Sequence, residues 1–91
     1  MKEPTVSIVV PARDEEQGIR EAVTSFCSQD YPAFEVIVVD GGSTDETVDL
    51  ARRQGARVLQ TQPGKARQMN CGATAATGEV LVFLHADTRL P

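Results

Sequence analysis

Three short apolar runs, each followed by an acidic residue, constrain the fold of this chain more than any other feature. The runs occupy residues 6–10, 36–39 and 80–84, and the acids that follow them are Asp14, Asp40 and Asp87. Short runs rich in β-branched residues are typical of strands covered on both faces of a parallel sheet. Parallel strands bring their carboxyl ends to one edge, where such folds bind ligands. The pattern therefore predicts a site for a metal-bound nucleotide at that edge.

Helical periodicity follows the first strand. We expect Pro11 to end strand 1, because it lacks a ladder donor, and the acids at 14–16 to occupy the first turn of a helix. The apolar face of this helix is formed by Ile19, Ala22, Val23, Phe26 and Cys27. A second strand is then predicted at 34–39.

Two further helices are indicated by their start and stop signals. Ser43 and Glu46 have the spacing of a capping box, which predicts a second helix that ends near Gln54, with Gly55 as its stop. A short third strand at 56–60 has the polar content of an edge strand. A third helix is predicted after Gly64, with the apolar face and C-cap supplied by Ala66, Met69, Asn70, Ala73 and Gly78.

Strand and helix therefore alternate, with four strands and three helices, as in one half of a doubly wound α/β sheet. The right-handed crossover rule and the position of the acids favour a Rossmann-like, mainly parallel sheet in the order 3-2-1-4. That order makes strand 4 an edge, although residues 80–84 form the most apolar stretch of the chain. We therefore expect residues 1–91 to be the N-terminal part of a domain that continues beyond Pro91.

Size and charge exclude several classes of protein. Ninety-one residues form one small domain, and 13 acidic against 9 basic residues give a net charge of −4, which disfavours a nucleic acid partner. We expect neither a cleaved secretory signal nor a transmembrane segment, and a cytoplasmic location. Cys27 and Cys71 belong to no metal or redox motif and are interpreted as small buried hydrophobic residues.

Asp40 and Asp87 are the leading candidates for ligand binding. Asp40 ends strand 2, where such folds bind the nucleoside, with a cap of the following turn as the alternative. Asp87 could hold a divalent cation between two phosphates, or cap a turn near Thr88. His85 is interpreted either as a structural hydrogen-bonding residue or as a ligand.

Two other segments could contact a nucleotide. Residues 11–16 follow strand 1, and Ala12 to Asp14 could border a base, whereas Glu15 and Glu16 could be ordinary acids of a helix start. Lys65 and Arg67 open the third helix, where phosphate could bind, or they could be solvated surface cations. The segment after strand 1 contains no G-x-G-x-x-G fingerprint, which argues against a dinucleotide cofactor, and the absence of G-x-x-x-x-G-K-[ST] excludes a P-loop.

Four motifs in order resemble those of family 2 glycosyltransferases, which have the GT-A fold. They are VSIVVPARDEE at 6–16, VVDGGSTDET at 38–47, GKARQMN at 64–70 and FLHAD at 83–87. The form with histidine, His85-Ala86-Asp87-Thr88, resembles the bacterial subgroup described as radical-SAM and selenodomain-associated transferases.

The resemblance implies a nucleotide sugar, most often a UDP-sugar, as the ligand and Mn²⁺ or Mg²⁺ as the cofactor. It implies that Pro11, Ala12 and Glu15 border the nucleoside and that Asp40 meets the base. Lys65, Arg67 and Asn70 would then lie near the nucleotide. Asp87 matches the last acid of the DxD motif, and His85 replaces its first acid.

The resemblance also concerns the reaction. It implies an inverting displacement at the anomeric carbon, with an acceptor site and a catalytic base downstream of the DxD motif. We therefore expect the base beyond Pro91, and we expect the 91 residues to bind a nucleotide without transferring sugar.

Other classes remain open at this stage. The chain could be a non-catalytic α/β module, either receiver-like or an assembly unit that forms homo-oligomers through strand 4. A receiver should have an aspartate after strand 3, and a nucleotidyltransferase should have a Gly-rich loop after strand 1. This sequence has neither feature.

Overall fold

Strands and helices alternate along the chain as the sequence predicts. The computed structural model describes residues 4–31 and 34–90. The elements are β1 (Val6–Ala12), α1 (Ile19–Cys27), β2 (Phe34–Asp40), α2 (Thr47–Arg53), β3 (Arg57–Gln60), α3 (Lys65–Ala75) and β4 (Val80–Phe83).

The four strands form one parallel sheet in the order β3-β2-β1-β4, which confirms the predicted topology. β1 pairs with β2 along its whole length, from Val6 opposite Phe34 to Ala12 opposite Asp40. β4 pairs with the other side of β1 as far as Val9. The carboxyl ends of β1, β2 and β4 are therefore adjacent, because parallel neighbours end at the same edge.

Alternation along the strands divides the core between the two faces of the sheet. One face carries Ile8, Val10, Val36 and Val38 and packs against the fully buried residues of α1. The opposite face carries Val9, Ile37 and Val39 and is covered by α3. Both faces of the two central strands are thus buried, as their continuous apolar sequences predict.

Gly72 allows α3 to lie close to this second face. A Cβ at this position would overlap Val9 Cγ1 and lie 3.0 Å from Val39 Cγ2. The buried residues of α3 are Gln68 and Gly72, whereas Met69 and Ala73, predicted to be core, are only half-buried. The predicted buried face, with Met69 and Ala73, was therefore wrong. At Gly72 the helix backbone itself lies against the sheet, which leaves no room for large side chains.

Pro11 does not end strand 1, which continues to Ala12. Odd-numbered residues of this segment direct their main-chain groups toward β4, since Leu84 N–H donates to Val9 O at 3.1 Å. β4 stops pairing at Val9, so the missing N–H of Pro11 falls beyond the last pair and removes no bond of the ladder.

The helix ends differ from several predictions. α1 begins at Ile19, so the acids at 14–16 precede it, and α2 begins at Thr47 without a side-chain cap from Ser43. Gly55 follows the end of α2 with φ +95°, as a helix stop requires. Gly78 is not the C-cap of α3, which is Ala76.

The two cysteines also differ from their prediction as buried residues. Cys27 is the last residue of α1 and is exposed. Cys71 is half-buried on α3.

Candidate functional site

A polar cleft lies at the carboxyl edge of the sheet, between the end of β1 and the start of α3. It encloses about 200 Å³ and is lined by Pro11, Ala12, Arg13, Glu15, Lys65, Gln68 and His85. Five of these residues were predicted from the sequence: Pro11, Ala12, Glu15, Lys65 and His85. The structure therefore brings together residues from three separate motifs.

Lys65 and His85 face each other in this cleft. The Lys65 ammonium nitrogen lies 3.4 Å from His85 Nε2, and both side chains are exposed. Gly64 immediately before the helix has φ +142°, a conformation that favours glycine. The turn at Gly64 thus places the first residue of α3, a cation, beside the end of β4.

Gln68 is a buried amide at the floor of the cleft, and its side chain is only 5% exposed. Its Nε2 donates to Ala12 O at 3.0 Å and to Val39 O at 2.9 Å. Its Oε1 accepts the N–H of Gly64 at 3.2 Å. The amide therefore connects the ends of β1 and β2 with the start of α3.

The main-chain oxygen of Ala12 is already fully used within the protein. It accepts the Gly41 N–H at 2.9 Å as well as the Gln68 amide. A carbonyl oxygen has two lone pairs, so this oxygen has no acceptor capacity left for a ligand. Ala12 can border a base through its side chain and shape, but not through this oxygen.

Asp40 is buried beneath the loop that follows β2, with 1% of its surface exposed. Its carboxylate accepts the N–H of Gly42 at 3.2 Å, the N–H of Ser43 at 3.1 Å and the Ser43 hydroxyl. This is the turn-capping geometry that the sequence left open as an alternative. Asp40 does not line the cleft.

The loops after β1 and β2 are held together by hydrogen bonds between side chain and main chain. Glu15 N–H donates to Thr47 Oγ1 at 2.8 Å, and Glu16 N–H donates to an Asp45 oxygen at 3.2 Å. The Thr47 hydroxyl beside Asp45, together with main-chain N–H donors, lowers the pKa of that carboxyl. These bonds keep the loop with Glu15 at the edge of the sheet.

Asp14 completes the same connection. Its N–H donates to Ser43 Oγ at 2.8 Å, and its carboxylate accepts the Thr44 N–H at 2.8 Å. Asp14 has φ +50°, which aspartate tolerates better than most residues.

Asp87 lies on an exposed turn after β4, closed by a 3.0 Å bond from Thr88 N–H to His85 O. Within residues 4–31 and 34–90, its carboxylate has no hydrogen bond or ion pair, so the alternative of a capping aspartate is not what this turn uses. Arg89 fixes the turn instead, donating to Ala86 O at 3.2 Å and to Gly18 O at 3.1 Å.

Arg67 and Asn70 are separate from the cleft. They line a shallower groove of about 500 Å³ between α3 and β3, together with Leu59, Thr61, Cys71, Thr74 and Ala75. The two predicted nucleotide contacts therefore lie on a different side of α3 from Lys65.

The donor set for a metal ion is small. The described ranges contain no cluster of three or more His, Cys, Asp or Glu side chains that could hold an ion. Asp87 offers a free carboxylate, the ligand type that Mg²⁺ and Mn²⁺ prefer, and such ions commonly use one or two carboxylates plus substrate phosphates. The single carboxylate of Asp87 therefore fits a cation that binds together with the phosphates of a nucleotide.

Sequence reasoning missed Gln68 and Arg89, whereas Arg13 lies in the segment after strand 1 that was expected to border a base. Gln68 had a detectable signal, because it shares a helix face with Cys71 and Gly72 at i, i+3 and i+4. Arg89 had none, since its hydrogen bond to Gly18 O, before α1, depends on tertiary structure.

No helix within the described parts of the chain combines the length and apolarity required to cross a membrane. The fold and the cleft together define an α/β domain with a polar site at the carboxyl edge of a parallel sheet, where such folds bind ligands. Comparison with known proteins identifies the family of this domain. The model of glycosyl transferase family 2 matches residues 7–91, and the chain belongs to that family.

Curated relatives and solved structures agree with this assignment. The chain is 37% identical to the PGL/p-HBAD biosynthesis glycosyltransferase of Mycobacterium tuberculosis, over 99% of this chain and 38% of that protein. It is similar to the mannosyltransferase PcManGT of Pyrobaculum calidifontis in complex with GDP-Man and Mn²⁺. There the TM-score is 0.87 and the identity 34%, over 99% of this chain and 29% of that one.

A second solved structure is the glucosyl-3-phosphoglycerate synthase of Mycobacterium tuberculosis in complex with Mn²⁺, UDP and glucosyl-3-phosphoglycerate. Its TM-score is 0.80 and its identity 32%, over 91% of this chain and 33% of that one. The chain thus spans between 29% and 38% of the length of these three proteins. The resemblance to family 2 glycosyltransferases and the GT-A-like fold are confirmed, while the narrower radical-SAM-associated subgroup stays a prediction.

Proposed function

We propose that this chain is the part of a glycosyltransferase that binds a nucleotide sugar, with a UDP-sugar as the donor. The observation that carries the proposal is the cleft that joins Pro11, Ala12 and Glu15 to Lys65 and His85. It is supported by the two solved neighbours, whose structures contain UDP or GDP-Man together with Mn²⁺.

Lys65 is the residue that meets the diphosphate in this proposal. Its ammonium is exposed at the cleft, at the start of an 11-residue helix whose first N–H groups also favour negative charge. A cation there stabilises the charge that develops on the departing nucleoside diphosphate.

Pro11, Ala12 and Glu15 border the nucleoside. They lie on β1 and on the loop that is bonded to the region after β2, so the two walls of the site are fixed relative to each other. Asp40 is assigned to the base as a proposal, and its buried carboxylate shapes the turn at Gly42 and Ser43 that would surround it.

Arg67 and Asn70 remain proposed contacts near the nucleotide. Lys65 has stronger structural support, because it lines the same cleft as the β1 residues whereas Arg67 and Asn70 line the groove toward β3.

Asp87 is the proposed ligand of the divalent cation, with His85 as a second candidate. A bound Mn²⁺ or Mg²⁺ would act as a Lewis acid that neutralises diphosphate charge. Around it, the chain supplies a free carboxylate on a turn that Arg89 holds in place.

The catalytic base and the acceptor site are assigned to sequence beyond Pro91, with residues 1–91 as the N-terminal part of the domain. This is supported by the short span of the chain relative to its relatives. A cytoplasmic location stays a prediction of the sequence.

Isothermal titration calorimetry of the 91-residue chain with UDP and Mn²⁺ tests the proposal. We expect weak binding that requires Mn²⁺ and that Lys65→Ala weakens about tenfold, since one charge-assisted contact is lost. Arg53→Ala removes the same charge from the end of α2, at the opposite edge of the sheet, and should leave binding unchanged. Absence of heat at millimolar UDP would refute the binding function, and sugar transfer by the chain alone would refute the assignment of the base.

A second function is favoured by the exposed edge strand. β4 carries three large apolar residues, Val80, Leu81 and Phe83, each 40–42% exposed. An exposed apolar edge can pair with another chain, so the protein could serve as an assembly unit that forms homo-oligomers through β4.

A further inference from the structure

Gln68 is held in one orientation by the groups around it. Both N–H bonds of its amide are donated, to Ala12 O and Val39 O, and its oxygen accepts the Gly64 N–H. A buried amide is costly to leave unpaired, so flipping or withdrawing it would lose several partners at once. The side chain therefore acts as a fixed brace between two strand ends and one helix start.

The hydrogen bonds of Gln68 also fix the main chain on both sides of Lys65. Lys65 lies between Gly64, whose N–H the Gln68 amide accepts, and Gln68 itself, whose N–H is bonded to Gly64 O at 2.8 Å. The main chain that carries the Lys65 side chain is thus tied to β1 and β2 rather than to its own helix alone.

Space for the brace is reserved by Gly41. A Cβ on Gly41 would lie 2.6 Å from Gln68 Oε1 and 2.9 Å from its Nε2. Gly41 also donates to Ala12 O, the same acceptor that Gln68 uses. The Gln68 amide can therefore take this position only because residue 41 is a glycine.

We propose that Gln68 is a positioning residue of the nucleotide site, which holds the Lys65 ammonium at the place where the diphosphate of the nucleotide binds. The inference rests on the proposed function, because the diphosphate is the group that Lys65 is proposed to meet. Gln68 acts through Lys65 in this proposal, because both N–H bonds of its amide and its oxygen are already hydrogen-bonded within the protein.

A double-mutant cycle separates positioning from general structural support. UDP with Mn²⁺ is titrated calorimetrically into the wild type, Gln68→Met, Lys65→Ala and the double variant. Gln68→Met should weaken binding about fivefold to tenfold, as expected for a lost brace of this kind. In the Lys65→Ala background the same change should have an effect of about twofold or less, because the group that it positions is gone.

The matched control is Gln62→Met, an exposed glutamine in the connection before α3, which should leave binding unchanged. If Gln68→Met does not fold, Gly41→Ala takes its place in the cycle, since its Cβ displaces the amide while leaving Gln68 in the chain. Unchanged binding in the Gln68 variant, or an equal effect with and without Lys65, would overturn the proposal.

A measurement without nucleotide keeps this inference separate from the proposed function. The Lys65 and His85 side chains approach to 3.4 Å, which should give a nuclear Overhauser effect between them in the wild type. We expect Gln68→Met and Gly41→Ala to abolish it and Gln62→Met to keep it. If the wild type fails to bind UDP, the proposed function is refuted. If the nuclear Overhauser effect between Lys65 and His85 persists in all variants, the positioning role of Gln68 is refuted, whether or not UDP binds.

Discussion

Ser7 and Glu35 face each other on β1 and β2, and the Ser7 hydroxyl donates a 2.6 Å hydrogen bond to Glu35 Oε2. The same oxygen accepts the N–H and the hydroxyl of Thr77, both at 2.8 Å. Gly78 N–H in turn donates to Ser7 Oγ at 2.8 Å. This network at the amino end of the sheet holds the connection between α3 and β4, and so determines where β4 begins.

The fold should lose stability as Glu35 is protonated. The Ser7 hydroxyl, then the Thr77 N–H, lowers the pKa of this carboxyl in the folded state. Because the pKa is lowered, the ionised carboxylate stabilises the fold at every pH above the ordinary glutamate pKa of about 4.3. This stabilisation disappears as the pH falls through the lowered pKa of the folded state. Urea unfolding between pH 7 and pH 3 measures it.

The Glu35→Gln variant isolates this contribution. We expect a loss of about 1 kcal/mol in the free energy of unfolding at pH 7, and a difference from wild type that shrinks toward pH 3. Glu79→Gln changes an exposed acid that directly follows Gly78 and whose carboxylate takes no part in the network, so it should change little. A Glu35 difference that stays constant with pH would contradict this account.

Gly72 should tolerate no side chain. Gly72→Ala would improve helix propensity, but its Cβ would overlap Val9 Cγ1. Overpacking of a close contact typically costs 1–3 kcal/mol, so we expect a net destabilisation of about 1–2 kcal/mol by urea unfolding. Thr74→Ala on the exposed side of α3 provides the comparison, with a change of about 0.5 kcal/mol or less. An unchanged or raised stability in Gly72→Ala would show that α3 can move away from the sheet.

The β4 edge should cause self-association. Leu81 and Phe83 are exposed, and in the described part of the chain no other strand covers that side of β4. Size-exclusion chromatography with light scattering should detect oligomers at tens of micromolar, and Leu81→Lys should restore the monomer because edge charges oppose pairing. Arg57→Lys on the opposite edge strand serves as the control. A monomeric wild type at this concentration would exclude assembly through β4.

Asp40 offers a test of how the turn after β2 contributes to binding. Asp40→Asn places an amide against the N–H donors of Gly42 and Ser43, and we expect it to lose about 1–3 kcal/mol of stability. If the carboxylate also meets the base, UDP affinity should fall further in Asp40→Asn than in Ser43→Ala, which keeps the carboxylate. Equal affinities in folded samples of both variants would remove Asp40 from the base contact.

The topology was predictable because it depends on simple features of the sequence. The apolar runs at 6–10 and 36–39 are long enough to be buried on both faces, and this marks β1 and β2 as central strands. The polar residues Arg57 and Gln60 marked β3 as an edge. The acids that follow the apolar runs were therefore expected at the carboxyl ends of the strands, and the cleft is found at that edge.

The helix starts and the details of the site were less predictable, because they depend on contacts between distant residues. Ser43 looks like a helix cap, yet its hydroxyl bonds Asp40 and its oxygen accepts Asp14 N–H, 29 positions away. Similarly, the partners of the Gln68 amide, the main-chain oxygens of Ala12 and Val39, are determined only when α3 is placed on the sheet. Local patterns contain no information on such pairings.

Mn²⁺-induced line broadening in the amide NMR spectrum, recorded with UDP present, tests most directly whether the carboxyl edge is the nucleotide and metal site. Paramagnetic Mn²⁺ broadens signals from nearby nuclei. We predict that broadening is centred on His85 and Asp87 and extends to Ala12, Glu15 and Lys65, and that Asp87→Asn reduces it. Broadening centred on another surface, or broadening that is the same in Asp87→Asn, would contradict the account.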